Sequence, residues 1–106
     1  MVNNKVYGLL GLATKAGKIS FGTESCMDMI AKRKVNLIIV AEDSSERTIN
    51  NFKEKCAQNN IDFYVFGNKD DISRAIGKTN KTVVGIKDIN LAGAIQKILN
   101  GGDVIG

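Results

Sequence analysis

Leu37-Ile38-Ile39-Val40-Ala41 is a continuous apolar run of strand length, and segments with helical periodicity lie on both sides of it. Successive side chains of a strand point to opposite faces of a sheet, so a strand that is apolar throughout must be covered on both faces. The rest of the chain has to supply that cover. Val6, Leu9, Leu10 and Ala13 recur at helical spacing, and Gly17 is placed to end this first helix as a left-handed cap. Ile19-Ser20-Phe21 is short enough for an edge strand. Thr23 then offers a hydroxyl cap for a second helix, with Glu24 in its first turn and Lys32-Arg33-Lys34 in its last. Its inner face is expected to be Cys26, Met27, Met29 and Ile30.

Beyond the apolar run, Asp43 or Ser44 is expected to cap a third helix carrying Glu46 in its first turn, with Ile49, Phe52, Cys56 and Ala57 on the buried side. Phe63–Phe66 reads as a strand, Asp70–Ile76 as a short helix and Thr82–Ile86 as a further strand. The last helix is expected to bury Leu91, Ala94, Ile95, Ile98 and Leu99 and to stop at Gly101-Gly102. This alternation predicts an α/β fold, a three-layer α/β/α sandwich around a central mixed sheet of about four strands. At 106 residues the chain is expected to fold as a single domain.

Catalytic readings find little to stand on. The sequence has no His, which removes the triad and Cys-His chemistries, His-ligated zinc and an imidazole pH switch. Cys26 and Cys56 are too few for a metal site, and neither a metal nor a cofactor is expected. Gly11–Ser20 is superficially like a phosphate loop. However, five residues separate Gly11 from Gly17, Ile19 stands at the Ser/Thr magnesium position, and a helix precedes the motif. Glu42, Asp43 and Glu46 cluster at one strand–helix junction, where acids act as caps more often than as a catalytic pair. The apolar stretch Val6–Ala13 is glycine-broken and far shorter than the roughly 18–20 residues of a membrane span. A non-enzymatic, soluble cytoplasmic protein, monomeric and away from membranes, is the expectation.

The net charge of +4 is concentrated. Residues 1–34 hold six bases and two acids for +4, residues 35–66 hold three and five for −2, and residues 67–106 hold six and four for +2. A phosphate-rich partner would meet the first third, helped by the last. Lys15 and Lys18 flank Gly17, Lys32 and Arg33 follow further on, and Gly22-Thr23-Glu24-Ser25 opens the second helix. A helix start presents free amides and the positive end of its dipole to a phosphate, and short polar side chains there can reach base edges. Lys69 and the loop Gly77-Lys78-Thr79-Asn80-Lys81 are expected to converge on that start, because strand–helix junctions gather on one edge of such a sandwich. A capped helix with a solvated basic rim fits the same spacing.

Gly17-Lys18-Ile19, Gly22-Thr23-Glu24-Ser25, Leu37–Asp43 and Ile76-Gly77-Lys78 together resemble the ribosomal-protein superfamily that recognises kink-turns in RNA, in particular its small bacterial YlxQ-type branch. The resemblance runs from about Tyr7 to Leu99. It implies a sandwich that binds a sharply bent internal loop of a structured RNA, ribosomal or regulatory, with the ribosome or another ribonucleoprotein as its setting. By position, Glu24 and Ser25 stand where the family carries Asn-Glu, and Asp28 where it carries a lysine that reads guanine. Ser45 and Ile49 would contact a flipped-out nucleotide, and Lys69 with residues 77–81 would close the other side of its pocket. Since a carboxylate at Asp28 cannot donate to guanine O6 or N7, a protein-interaction adaptor on the same fold stands as the alternative.

Overall fold

The computed structural model describes residues 2–101. Helix α1 (Val2–Lys15) leads into β1 (Ile19–Phe21), α2 (Thr23–Ala31), β2 (Leu37–Val40), α3 (Glu46–Gln58), β3 (Asp62–Val65), α4 (Lys69–Ala75), β4 (Val83–Ile86) and α5 (Ile89–Leu99). The strands lie in the order β1-β4-β2-β3. β4 runs antiparallel to both of its neighbours, and β2 runs parallel to β3. The sheet is therefore mixed, and the short β1 is an edge strand as its length suggested.

Alternation along β2 divides the core between two faces. Leu37 and Ile39 join Val6, Leu10, Ile72, Ile76, Ala92 and Ile95 beneath α1, α4 and α5. Ile38 and Val40 join Cys26, Ile30, Phe52 and Cys56 beneath α2 and α3. All four β2 residues are fully buried, which is the physical content of the unbroken apolar run. The expected α/β/α sandwich is the observed one.

Several local expectations are corrected. Gly22, not Thr23, occupies the cap position of α2, and no side chain caps that helix. Lys32–Lys34 lie past its last turn, with Lys32 as the C-cap. Ser45 caps α3, its hydroxyl accepting the Thr48 N–H at 3.1 Å. Of the residues expected there, Asp43 instead accepts the Lys69 N–H at 2.9 Å, while the buried Ser44 hydroxyl has no partner among the described residues. One residue shifts in β3, whose pairing with β2 starts at Asp62 opposite Leu37, and α4 starts at Lys69 behind its Asn68 cap. Ala57 and Ala94 are exposed, and Ala92 is buried in place of Ala94. Small alanines carry too little periodic signal to fix a helix face to within one residue. Gly17 and Gly101 have φ of 71° and 85°, as terminating glycines should; Gly102 lies outside the described residues.

Gly85 marks where α2 comes down onto β4. A Cβ at this position would lie 2.8 Å from Val35 Cγ2 and 3.1 Å from Ile38 Cδ1. Both neighbours are β-branched, buried and stiff about χ1. Gly85→Ala is therefore expected to cost about 1–3 kcal/mol by overpacking, seen as a lower denaturant midpoint at unchanged slope.

Candidate nucleic-acid interface

The C-terminal ends of β1, β2 and β3 and the N-terminal end of β4 share one edge of the sheet, by the pairing directions above. That edge collects the starts of α2, α3 and α4 and the 77–82 loop. Of the convergence expected from sequence, the part made by the 77–81 loop is present, and the part expected of Lys69 is not. Lys78 Nζ sits 5.0 Å and Lys81 Nζ 5.4 Å from the centroid of the Phe21 ring. A Cβ placed on Gly22 would be 3.9 Å from the same Lys81 ammonium. Two cations thus stand over Phe21, the residue before the Gly22 cap of α2. Neither lysine makes an ion pair among the described residues.

The local structure that holds them is built from Ser73. This buried hydroxyl donates to the Lys81 carbonyl at 3.1 Å and accepts the Lys81 N–H at 2.8 Å, closing the loop at its far end. At the near end the Lys78 N–H donates to the Ser73 carbonyl at 2.8 Å. Gly77 and Asn80, with φ of 71° and 57°, supply the left-handed turns that a segment this short needs. Thr79 and Asn80 are exposed and, with Lys78, Asp70, Ser73 and Arg74, line a surface groove of about 640 Å³.

At the start of α2, Gly22 has φ 89° and ψ 157°, a region essentially reserved for glycine. Its N–H donates to the Val83 carbonyl at 3.0 Å, so β4 anchors the turn. The Ser25 hydroxyl is tied to the buried Ser20 hydroxyl of β1 at 2.9 Å, which fixes the first turn against the sheet. α3, α4 and α5 are each capped by a side chain, Ser45, Asn68 and Asp88. α2 has none, and its first-turn amides face outward with the dipole's positive end. Gly22→Ala is expected to cost about 1–3 kcal/mol through backbone strain, read as a drop in melting temperature, whereas Gly85→Ala lowers stability without touching this turn.

Thr23, Glu24 and Met27 form one wall of a second groove, of about 330 Å³, whose other wall is Arg47, Thr48 and Asn51 of α3 over a Phe52 floor. The three α3 residues escaped the sequence reading because exposed polar positions on an amphipathic helix look merely solvated. Phe21 escaped too, since its role as a seat for two ammonium groups depends on a loop sixty residues away in the chain. Ser45 stands at the start of α3, but its hydroxyl is engaged with Thr48. Ile49 is half-buried and packs into the α2–α3 core.

Other expected site residues lie elsewhere. Lys69 is half-buried at the start of α4, anchored by its backbone to Asp43 and followed by Asp70 and Asp71. Its flank is acidic, with Glu42, Asp43 and Asp71 lining a groove together with Tyr7. Burial, then the Asp71 charge, raises the Tyr7 pKa. Asp28 forms an ion pair with Lys32 one turn on, at 3.0 Å, so its carboxylate is partly neutralised within α2 itself. Lys15, Lys18, Lys32 and Arg33 sit at the opposite edge of the sheet, beside the start of β1 and the end of α2.

Neither cysteine offers a thiolate near neutral pH. Burial pushes the Cys26 thiol up to about 12 and the Cys56 thiol up to about 11, and both pack as small apolar groups in the core. Among the described residues no three His, Cys, Asp or Glu side chains cluster so as to hold a metal ion.

Comparison with known proteins adds to this geometry. The model of the Ribosomal protein L7Ae/L30e/S12e/Gadd45 family matches residues 4–94. An RNA-binding protein YlxQ of Enterococcus faecium is 32% identical over 97 residues, covering 92% of this chain and 93% of its own length. The protein of the same name from Bacillus subtilis (strain 168) is 27% identical over 94 residues, covering 89% and 94%. Among solved structures, a protein of unknown function from Bacillus halodurans superposes with a TM-score of 0.88 at 30% identity, over 91% of this chain and 97% of that one. The Giardia lamblia 15.5kD RNA binding protein does so at 0.81 and 16% identity, over 99% and 90%. At that identity the likeness concerns the fold.

Proposed function

The chain belongs to the Ribosomal protein L7Ae/L30e/S12e/Gadd45 family, in its YlxQ branch, and we propose that it is a non-enzymatic RNA-binding protein that recognises and stabilises a kinked internal loop, a kink-turn, in a ribosomal or regulatory RNA. The observation that carries this reading is the meeting of an uncapped helix start at Gly22 with the ammonium groups of Lys78 and Lys81 over Phe21. A tight bend brings phosphates of two RNA segments together, and their repulsion opposes the bend. A rigid cationic edge that meets both segments at once favours the bent form, and it can shift the equilibrium only by its differential affinity for the two forms. Glu24 accepts hydrogen bonds and Thr23 can accept or donate them, which suits the exocyclic amines and ring nitrogens of an opened base step. The Arg47–Thr48–Asn51 wall supplies one further cation and two amphoteric groups across the groove.

The test is calorimetric titration against a kink-turn duplex and a control with its G·A pairs disrupted. The kinked duplex is expected to bind more tightly. Its affinity is expected to fall about 10³-fold between 50 and 200 mM salt if some six phosphates are contacted. Equal affinity for both duplexes would remove the kink-turn reading and leave general RNA binding. No affinity for either, with a protein partner bound instead, supports the adaptor alternative.

A further inference from the structure

We propose that the edge of the sheet opposite the α2 start is a second RNA contact, in which Lys15, Lys18, Arg33, Lys34 and Lys87 hold the phosphate backbone of a helical segment flanking the kinked loop. The inference rests on the RNA-binding reading above and assigns a separate surface to it. The register of β1 on β4 carries Lys18 opposite Lys87, whose N–H donates to the Lys18 carbonyl at 2.7 Å. Alternation places both side chains on the face that α2 covers, since Ile19, Phe21, Val84 and Ile86 belong to the other core. Like charges directly opposite each other across an antiparallel pair oppose folding.

Arg33 and Lys34 arrive at the same edge from the end of α2. The Arg33 N–H donates to the Ile30 carbonyl and the Lys34 N–H to the Met29 carbonyl, at 3.0 and 2.9 Å. This is a Schellman closure, and the residue at its left-handed position, usually glycine, is here Arg33 with φ 55°. An arginine is strained there. The C-terminal dipole of α2 accounts for cations nearby, but not for this choice at the one position that disfavours a side chain, nor for the Lys18–Lys87 pair.

The acids near this edge leave a net positive charge. Asp28 is taken up by Lys32. Asp88 caps α5, accepting the Leu91 N–H, and Asp62 lies on the far strand, bonded to Gln96. Across residues 15–18 and 32–34 no exposed apolar side chain exceeds Ala16, and the exposed Ile89 two residues past Lys87 is a single apolar side chain beside five cations, short of the apolar centre of a protein interface. Eleven residues separate Gly22 from Arg33 along α2, which sets the two basic edges about 16 Å apart. A ligand that touches both must be extended and polyanionic, which an RNA helix leading away from a bend provides.

The experiment compares a kink-turn duplex trimmed to its shortest stable helices with one whose helices are each extended by one further turn. It uses wild type, Arg33→Gly, and the triple variant Arg33→Gly/Lys18→Gln/Lys87→Gln. Glycine relieves the left-handed strain and the glutamines remove the like-charge pair, so neither variant is expected to melt below wild type. For the extended RNA the triple variant is expected to bind on the order of 500-fold more weakly at 0.1 M salt, with the salt slope reduced by about 1 for each cation removed. The trimmed duplex is expected to bind all three proteins alike. Unchanged affinity and slope on the extended RNA would overturn the second contact and leave the proposed function standing. Equal losses on both RNAs would overturn its separateness. Failure of wild type to bind either RNA would overturn both readings.

Discussion

Reversing both loop charges, Lys78→Glu together with Lys81→Glu, is expected to lower affinity for a kink-turn RNA by on the order of 10²-fold at 0.1 M salt, with little change in melting temperature. Each phosphate contact contributes roughly 0.9 to the slope of log K against log salt. Two lost contacts therefore cost close to 60-fold at this salt if affinity at 1 M is unchanged, and repulsion by the introduced carboxylates adds to it. The fold tolerates the change because the loop is held by its backbone, through the paired Ser73–Lys81 hydrogen bonds and the Lys78 N–H to Ser73 carbonyl bond. The side chains contribute only the contacts over Phe21, worth about 0.5–1 kcal/mol each at an exposed site. Gel-shift titrations alongside thermal melts separate the two effects. An affinity within threefold of wild type would show that the loop lies outside the RNA footprint.

The same comparison ranks the anionic residues at this edge. Glu24 sits in the exposed first turn of α2, two residues after Gly22, on the wall of the α2–α3 groove, where it can accept from a base. Asp28 is one turn further along and already paired with Lys32. An exposed pair of this kind contributes only about 0.3–0.5 kcal/mol, so either partner can leave it when a phosphate approaches.

Much of this architecture is written in short-range patterns. The apolar run of β2 reports burial on both faces, because a strand has no other way to place four consecutive apolar side chains. Gly17 reports a helix end, since few other residues adopt its φ of 71° readily. The cap of α2 was less legible. A threonine after a glycine looks like an N-cap, yet β4 draws the Gly22 N–H to Val83 and moves the boundary back by one residue. Sheet order is a long-range property, and it decides which basic residues are neighbours. Charge counting along the chain groups Lys15, Lys18, Lys32 and Arg33 with Gly22–Ser25. In the fold β1 and α2 each carry the chain from one edge to the other, so the group splits between two edges. The clustering of Lys78 and Lys81 at Phe21 could be anticipated only as a gathering of junctions, because the distances depend on Ser73 pinning the loop.

Phe52→Ala is expected to be the most damaging single substitution to the fold, costing about 3–5 kcal/mol of a total stability that for such domains is about 5–15 kcal/mol. Phe52 is 2% exposed and, with Cys56, is one of the two fully buried residues that α3 contributes. Apart from the half-buried Ile49 and the small Cys56 and Ala57 that helix is polar, so its attachment to the sheet depends chiefly on this ring among Cys26, Ile30, Ile38, Val40 and Val83. Chemical denaturation of wild type, Phe52→Leu and Phe52→Ala is expected to give midpoints in that order, because leucine refills part of the cavity. The ring is also the floor beneath the wall of Arg47, Thr48 and Asn51, which links the packing to the binding reading. If the folded form alone binds RNA, kink-turn duplex at 100 times its Kd should restore about 2.7 kcal/mol to Phe52→Ala. A recovery well below that for Phe52→Ala, with the full recovery in wild type, would mean that the floor shapes the interface as well as holding α3 down.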